Sequence, residues 1–399
     1  MRATTIGMPE AHSAPGPGLD RLTTIILLAF VAAVQLSIAA AQILLSALLL
    51  CWVVGMVRDK TRPAAPTFFL ALLAYSGITL ISSVFSIAPV ESFIDDRQLL
   101  LFLIVPAVYD LARGNRARMA MDVIITVGAA AAAYGIVQYG MLHFDSLGQR
   151  PRGTLGHYMT YSGTLMLVIG VAASRLVFGS RDRVWPALVM PALVVALSLT
   201  LTRSAWVGAC VAVGVLFILK DLRLLGLLPV VAALFFAFAP DSVTNRMMSM
   251  FDLRDPSNRD RLAMARTGTA MVRDFPLTGV GPAMIPKLYT QYRDPDAVQA
   301  MNPHLHNVPL QIAAERGLPA LGIWIAFVVV LAYGLFRLFR TEPEPILAAA
   351  GLAAIAAMLS AGLFEYNFGD SEFLMLFLVL VTLPFAAARR DDAATSPRV

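Results

Sequence analysis

From Thr23 to Val57 the chain reads "TTIILLAFVAAVQLSIAAAQILLSALLLCWVVGMV", without one charged side chain. A hydrocarbon core ~30 Å thick is crossed by about 20 helical residues. The run is therefore long enough for two crossings, joined at "QLSIAAAQ" (35–42). It is not a cleavable signal, because no small-residue cleavage pattern followed by a polar mature domain comes after it. The fold class this stretch dictates is helical and membrane-embedded.

The rest of the chain agrees. Of 399 residues, 58% are hydrophobic and 14% are charged, whereas soluble domains are about one quarter charged. Mean hydropathy is +0.71. These values exclude a water-soluble globule. Apolar runs recur throughout, and twelve helical spans are expected, at 22–38, 40–57, 67–85, 98–112, 119–142, 159–178, 184–201, 204–219, 223–239, 319–338, 346–366 and 371–388. The Pro- and Gly-rich stretch 1–21 reads as a disordered cytoplasmic tail. Residues 22–399 read as one transmembrane domain containing a single long aqueous segment, 240–318. Cys51 and Cys210 lie inside apolar runs and read as small core residues rather than a disulfide framework.

Orientation follows from Lys and Arg in the short loops. With the N-terminus inside, inner segments carry most of the basic residues. Short outer loops carry only Arg97, Arg150, Arg152 and Arg203. Both termini are then cytoplasmic, and the long segment lies outside. The formal charge of +5 is thus spread by topology, which argues against a nucleic-acid surface.

The outer face holds the chemistry. In "SNRDRLAMARTGTAMVRD" (257–274), Ser257 reads as the cap of a helix over 258–274. At 100° per residue, Arg259, Arg266 and Arg273 form one solvated stripe. Arg261 stands apart among Met264, Ala265, Gly268 and Val272, where a cation calls for an anionic partner. Arg203, in "TLTRSAW", sits at a hinge between two spans at the membrane boundary. Charge there is costly and marks either function or snorkelling to lipid phosphate. In "NPHLHNVPLQ" (302–311), His304 and His306 lead into a span. A histidine at such a mouth can serve as a general base near neutral pH. The two could instead pair with Asp294 and Asp296 on a metal, or simply pack. "FEYNFGDSEF" gathers Glu365, Asp370 and Glu372, any of which could orient an imidazole, accept sugar hydroxyls or form a solvated turn. Arg150, Arg152 and His157 reach the same face. The flanking prolines are expected to hold the backbone extended around the imidazole.

Together, "TRSAW", "RLAMAR…RDFPLTGVG" and "HLHNVPLQIAAERGLPALG" resemble the bacterial O-antigen ligase family within the O-antigen ligase/polymerase superfamily. The resemblance covers roughly residues 195–325. It implies a GT-C-like inner-membrane glycosyltransferase with its active site facing the periplasm. It also implies an undecaprenyl-pyrophosphate-linked glycan donor, a lipid A–core acceptor and no metal or nucleotide cofactor. By motif position it implies catalytic roles for His306, Arg203 and Arg261. Arg266, Arg150, Arg152, His304, Asn307 and Asp370 are the expected substrate-binding residues. Ala265 departs from the family pattern, in which an aromatic often follows the arginine by four residues. An O-antigen polymerase, a protein-glycosylating transferase of the same superfamily and a twelve-span transporter are the rival readings. The single large outer segment favours the ligase over a polymerase.

Overall fold

The computed structural model describes residues 17–180 and 183–389, and it is helical, with no strand among the described residues. Five helices are long and apolar enough to cross a membrane: α2 (Ile38–Asp59), α6 (Asn115–Gly140), α7 (Tyr158–Phe178), α9 (Arg203–Lys220) and α14 (Val308–Thr341). Shorter apolar helices complete the bundle: α1 (Pro17–Ala33), α3 (Phe69–Val84), α5 (Ile104–Leu111), α8 (Val184–Leu199), α10 (Leu227–Phe238), α15 (Ile346–Gly362) and α16 (Ser371–Ala387). Polar connecting helices are α4 (Pro89–Asp95), α11 (Asp241–Met248), α12 (Pro256–Asp274) and α13 (Ile285–Tyr292).

Composition sorts the helices into inner and outer ones. α7 is buried at every position from Thr160 to Ser174. α15, "ILAAAGLAAIAAMLSAG", packs against α7 and α9, and its small side chains permit the close approach typical of helices in lipid. Outer helices keep large apolar groups exposed: Ile43 on α2 is 70% exposed and Leu188 on α8 is 69% exposed. This is the architecture of a helical integral membrane protein.

Helices fall on the apolar runs, with four informative departures. Residues 96–103 form a 3₁₀ helix before α5; Pro106 has no N–H for the Phe102 carbonyl, so a regular ladder is interrupted there. The run 223–239 is split: Asp221 accepts from the Arg223 N–H and holds residues 222–226 in a 3₁₀ turn, leaving α10 only 12 residues. Twelve residues rise about 18 Å, short of a full crossing. α12 starts earlier than expected, because Asp255 rather than Ser257 is its cap, accepting from the N–H groups of Ser257 and Asn258, with Pro256 in the first turn. The expected tail is shorter than 1–21. Residues 1–16 lie outside the described residues, but α1 already begins at Pro17, and Asp20 pairs with Arg116.

α14 is two helices joined at Gly317, whose φ of 82° and ψ of 168° are not helical. Pro319 follows. The segment "DFPLTGVG" docks into this kink: Leu318 N–H bonds the Pro276 carbonyl (2.8 Å), Val280 N–H the Ala314 carbonyl (2.9 Å) and Gly281 N–H the Glu315 carbonyl (2.9 Å). Ser82 on α3 donates to the Thr278 carbonyl. Two motifs far apart in sequence are thus one structural joint. A Cβ on Gly279 (φ 68°) would lie 2.2 Å from the Glu315 carbonyl carbon. Backbone cannot yield as a side chain can. Gly279→Ala is expected to cost roughly 2–5 kcal/mol, from left-handed strain plus overpacking, read as a lowered melting midpoint in detergent. An unchanged midpoint would refute the joint's importance.

Candidate active site

The site is built at the N-terminus of α14. Asn307 caps α14: its Oδ1 accepts from Leu310 N–H (2.8 Å), and its Nδ2 donates to the Leu363 carbonyl (3.0 Å). Pro309 falls in the first helical turn, where its fixed φ favours helix initiation. Immediately before the cap, His306 takes the left-handed conformation, φ 49°. The expected extended backbone is found at Asn307 (φ −156°, ψ 115°) but not at His306 itself. Leu305 N–H is bound by Gln311 Oε1 (2.7 Å), and Gln311 Nε2 is bound by Glu315 Oε1 (2.9 Å). Glu315 also accepts from Ala283 N–H. Gln311 and Glu315 thus tie the histidine turn to the kink.

That turn brings His306 Nδ1 to 2.9 Å from Glu365 Oε2. Glu365 Oε1 accepts from the Tyr366 N–H (3.1 Å) and lies 3.7 Å from His304 Nε2. The two imidazoles meet edge to face, centroids 4.1 Å apart. Burial alone would raise the Glu365 carboxyl. The hydrogen bond and charge of His306, the charge of His304 and the Tyr366 N–H overcome burial and hold it down at about 2. Burial, with smaller help from His306 and His157 and against Glu365, pushes His304 down to about 4. Glu365 is therefore a carboxylate and His304 a neutral imidazole near neutral pH. A carboxylate has no proton to give, so Nδ1 of His306 carries the hydrogen of that bond.

These directions fix a pH dependence. The folded protein excludes from His304 a proton that the unfolded chain takes up below about 6.5. Its contribution to stability is complete above that pH and falls as pH drops from about 6.5 to 4. Glu365 adds a loss in the same direction, below the ordinary Glu value of about 4.3 and toward 2. The melting midpoint should fall between pH 7 and pH 4.5, and His304→Asn should flatten that slope. An equal slope in both proteins would count against this assignment.

Arginines surround the dyad. Arg261 on α12 donates Nε to the Phe364 carbonyl (3.1 Å), one residue from Glu365, and no protein acceptor among the described residues binds its terminal nitrogens. Burial lowers its guanidinium, with Glu365 opposing and Arg203 adding to the depression. Arg150 lies over the Tyr158 ring at 4.2 Å and is lowered by burial and by Arg203. Arg246 on α11 is brought down to about 10 by burial and then by Arg203, with Asp255 opposing and Arg150 and Arg261 adding to the fall. Four guanidiniums, Arg150, Arg203, Arg246 and Arg261, thus feel one another, and the counter-charges are Asp255 and Glu365. Such a cluster concentrates positive charge of the kind that attracts a multiply charged anion.

Arg203 is held by protein partners. The hinge at 200–202 is where it was expected, between α8 and α9. Its guanidinium, however, is 4% exposed and already engaged: Nη1 with Ser249 O and Oγ, Nη2 with Asp255 Oδ1 and Asn258 Oδ1, at 2.9–3.1 Å. It clamps the start of α12 to α9.

The other expected binding residues fall into two groups. His304 and Asn307 adjoin His306. Asp370 is close but occupied, capping α16 through Phe373 N–H (2.9 Å) and accepting from Thr160. Arg266 is paired on an exposed face with Asp296 (2.9 Å) and Asp294 (3.6 Å). This corrects the pairing of those aspartates with the histidines: Glu365 is the carboxylate beside them. Arg152 is exposed and lies over Phe144. Arg246 was not singled out from the sequence; its signal would have been a basic residue in an amphipathic turn beside "MFDLRDP".

A family model described as O-Antigen ligase matches residues 188–325. Over that stretch the chain is similar to the O-antigen ligase family. The matched O-antigen ligase stretch contains Arg203, Arg246, Arg261 and His306, and ends before Glu365. No curated protein matches the chain significantly.

Proposed function

We propose that this chain is an O-antigen ligase, transferring a glycan from undecaprenyl pyrophosphate to lipid A–core oligosaccharide at the periplasmic face of the inner membrane. The observation that carries this reading is the convergence of a carboxylate-oriented imidazole, His306 on Glu365, with the unpaired end of Arg261 held one residue away. His306 Nε2 takes the proton of the acceptor hydroxyl. The freed oxygen pair attacks the anomeric carbon, and the carbon–oxygen bond to pyrophosphate breaks with its electrons leaving on the phosphate. Arg261 and Arg150 bind that leaving group through their free nitrogens, in a field to which Arg246 and Arg203 contribute. A single displacement inverts the anomeric configuration. No step calls on a metal or nucleotide.

The charge-derived topology, both termini cytoplasmic, has support in side-chain pairing. Residues from loops assigned inside meet one another: Asp110 binds Trp52, Arg113 and Arg389, and Arg118 binds Glu344. Those assigned outside meet at the dyad. Residues 240–318, with α11, α12 and α13, form the one large outer segment of a GT-C-like enzyme, which favours a ligase over an O-antigen polymerase. Deletion of the gene followed by lipopolysaccharide gel analysis tests the choice. Loss of a ligase leaves bare core with polymer retained on the lipid carrier. Core bearing a single repeat would mark a polymerase and overturn the reading.

A further inference from the structure

Among the described residues, His304, His306 and Glu365 bring one ligand atom each within 4.8 Å of one another. We propose that these three side chains form a binding site for a divalent transition ion of the zinc class, and that the ion acts as an inhibitor of the chain rather than as its cofactor. Two imidazoles and one carboxylate are a donor set suited to such ions and ill-suited to magnesium, which prefers oxygen and retained water.

The geometry is close to what a tetrahedral ion needs. Zinc–nitrogen and zinc–oxygen bonds of about 2.0–2.2 Å place neighbouring ligand atoms roughly 3.3 Å apart. Two distances straddle that value, each to a different oxygen of Glu365: His306 Nδ1 to Oε2 is 2.9 Å and His304 Nε2 to Oε1 is 3.7 Å. Binding through one carboxylate oxygen turns the carboxylate to face both imidazoles, from ligand atoms already within 4.8 Å of one another. The opposite Nδ1 of His304 is buried without a partner, which leaves Nε2 as the nitrogen facing the carboxylate. Three protein ligands leave a fourth position for water. The nearby Arg261 charge opposes the ion, so this site is weaker than a closed four-ligand one.

Inhibition follows from imidazole chemistry. A metal on Nδ1 of neutral His306 leaves its one ring hydrogen on Nε2. That nitrogen then has no lone pair for the acceptor's proton. This consequence rests on the transfer reading above; the binding does not.

The test uses the purified full-length chain, metal-stripped and with any affinity tag removed. Calorimetric titration with Zn²⁺ should show one ion per chain and no uptake of Mg²⁺. Co²⁺ should give the intense visible absorption of a tetrahedral site. His304→Ala and Glu365→Ala should each weaken Zn²⁺ binding at least about tenfold, since even loss of an outer partner costs 10–100-fold, and His143→Ala should leave it unchanged. No stoichiometric binding by the parent protein, or undiminished binding in both ligand variants, overturns the site. Added Zn²⁺ should also stop glycan transfer, with recovery on chelation. Zinc that binds through these residues yet leaves transfer untouched upholds the site and counts against His306 as the proton acceptor.

Discussion

Replacing His306 with asparagine is expected to lower glycan transfer by roughly 10²–10⁴-fold, the range contributed by a positioned general base. Asparagine suits the experiment for three reasons. It tolerates left-handed backbone, which His306 occupies at φ 49°. Its amide can still donate to the Glu365 carboxylate, so the buried charge keeps a partner. It has no basic nitrogen. The variant should therefore insert and melt like the parent while losing rate, measured with purified lipid-linked donor and core acceptor. Glu365→Gln should fall between the two, because a neutral amide can offer either an N–H or a carbonyl to Nδ1 and no longer fixes the tautomer. Full activity in His306→Asn would end the general-base assignment. Full activity in Glu365→Gln would confine Glu365 to packing.

How far the sequence disclosed this site depends on the range of each interaction. Helices repeat their apolar pattern locally, so "TTIILLAF…" and its fellows announce them. The breaks at 221–226 and 96–103 depend on one cap and one proline, and a hydropathy window averages those away. Arg261 stood out because a helix wheel is also local. His306 was separable from His304 by the asparagine that follows it, and the structure gives that asparagine its reason as the cap of α14. Glu365, 59 residues away from its histidine, carries no such mark. It was one of three acids in a short loop, and only the folded chain shows that Asp370 is used as a cap and Glu365 as the partner. The same limit hid Arg246. It also turned Arg266 and its two aspartates, which look like site chemistry in sequence, into an exposed ion pair.

Arg203→Ala is expected to cost about 3–5 kcal/mol of stability, the cost of leaving one partner of a buried ion pair alone. Four hydrogen bonds to Ser249, Asp255 and Asn258 would vanish together. Asp255 would keep Arg246, at 3.4 Å, and its own two cap bonds. Burial would raise the Asp255 carboxyl; Arg203 and then Arg246 more than offset that and hold it below its usual range, a contribution to stability that is lost as pH falls through that range, so the gap between parent and Arg203→Ala should narrow in acid. Arg203→Lys keeps the charge, but a single ammonium cannot reach both Ser249 and the Asp255–Asn258 pair as a planar guanidinium does. It should recover part of the stability. The order of melting midpoints in detergent should be parent, lysine, alanine, with transfer lost in step as α12 loosens and carries Arg261 away from Phe364. A direct pyrophosphate ligand would behave otherwise: Arg203→Ala would melt like the parent and lose only transfer. That outcome would return Arg203 to the substrate and remove the clamp from the account. Arg261→Ala supplies the contrast within the same protein. Its terminal nitrogens have no protein acceptor to abandon, so its rate should fall while its midpoint stays close to the parent's. A removed anion-stabilising donor costs roughly 10²–10³ in rate.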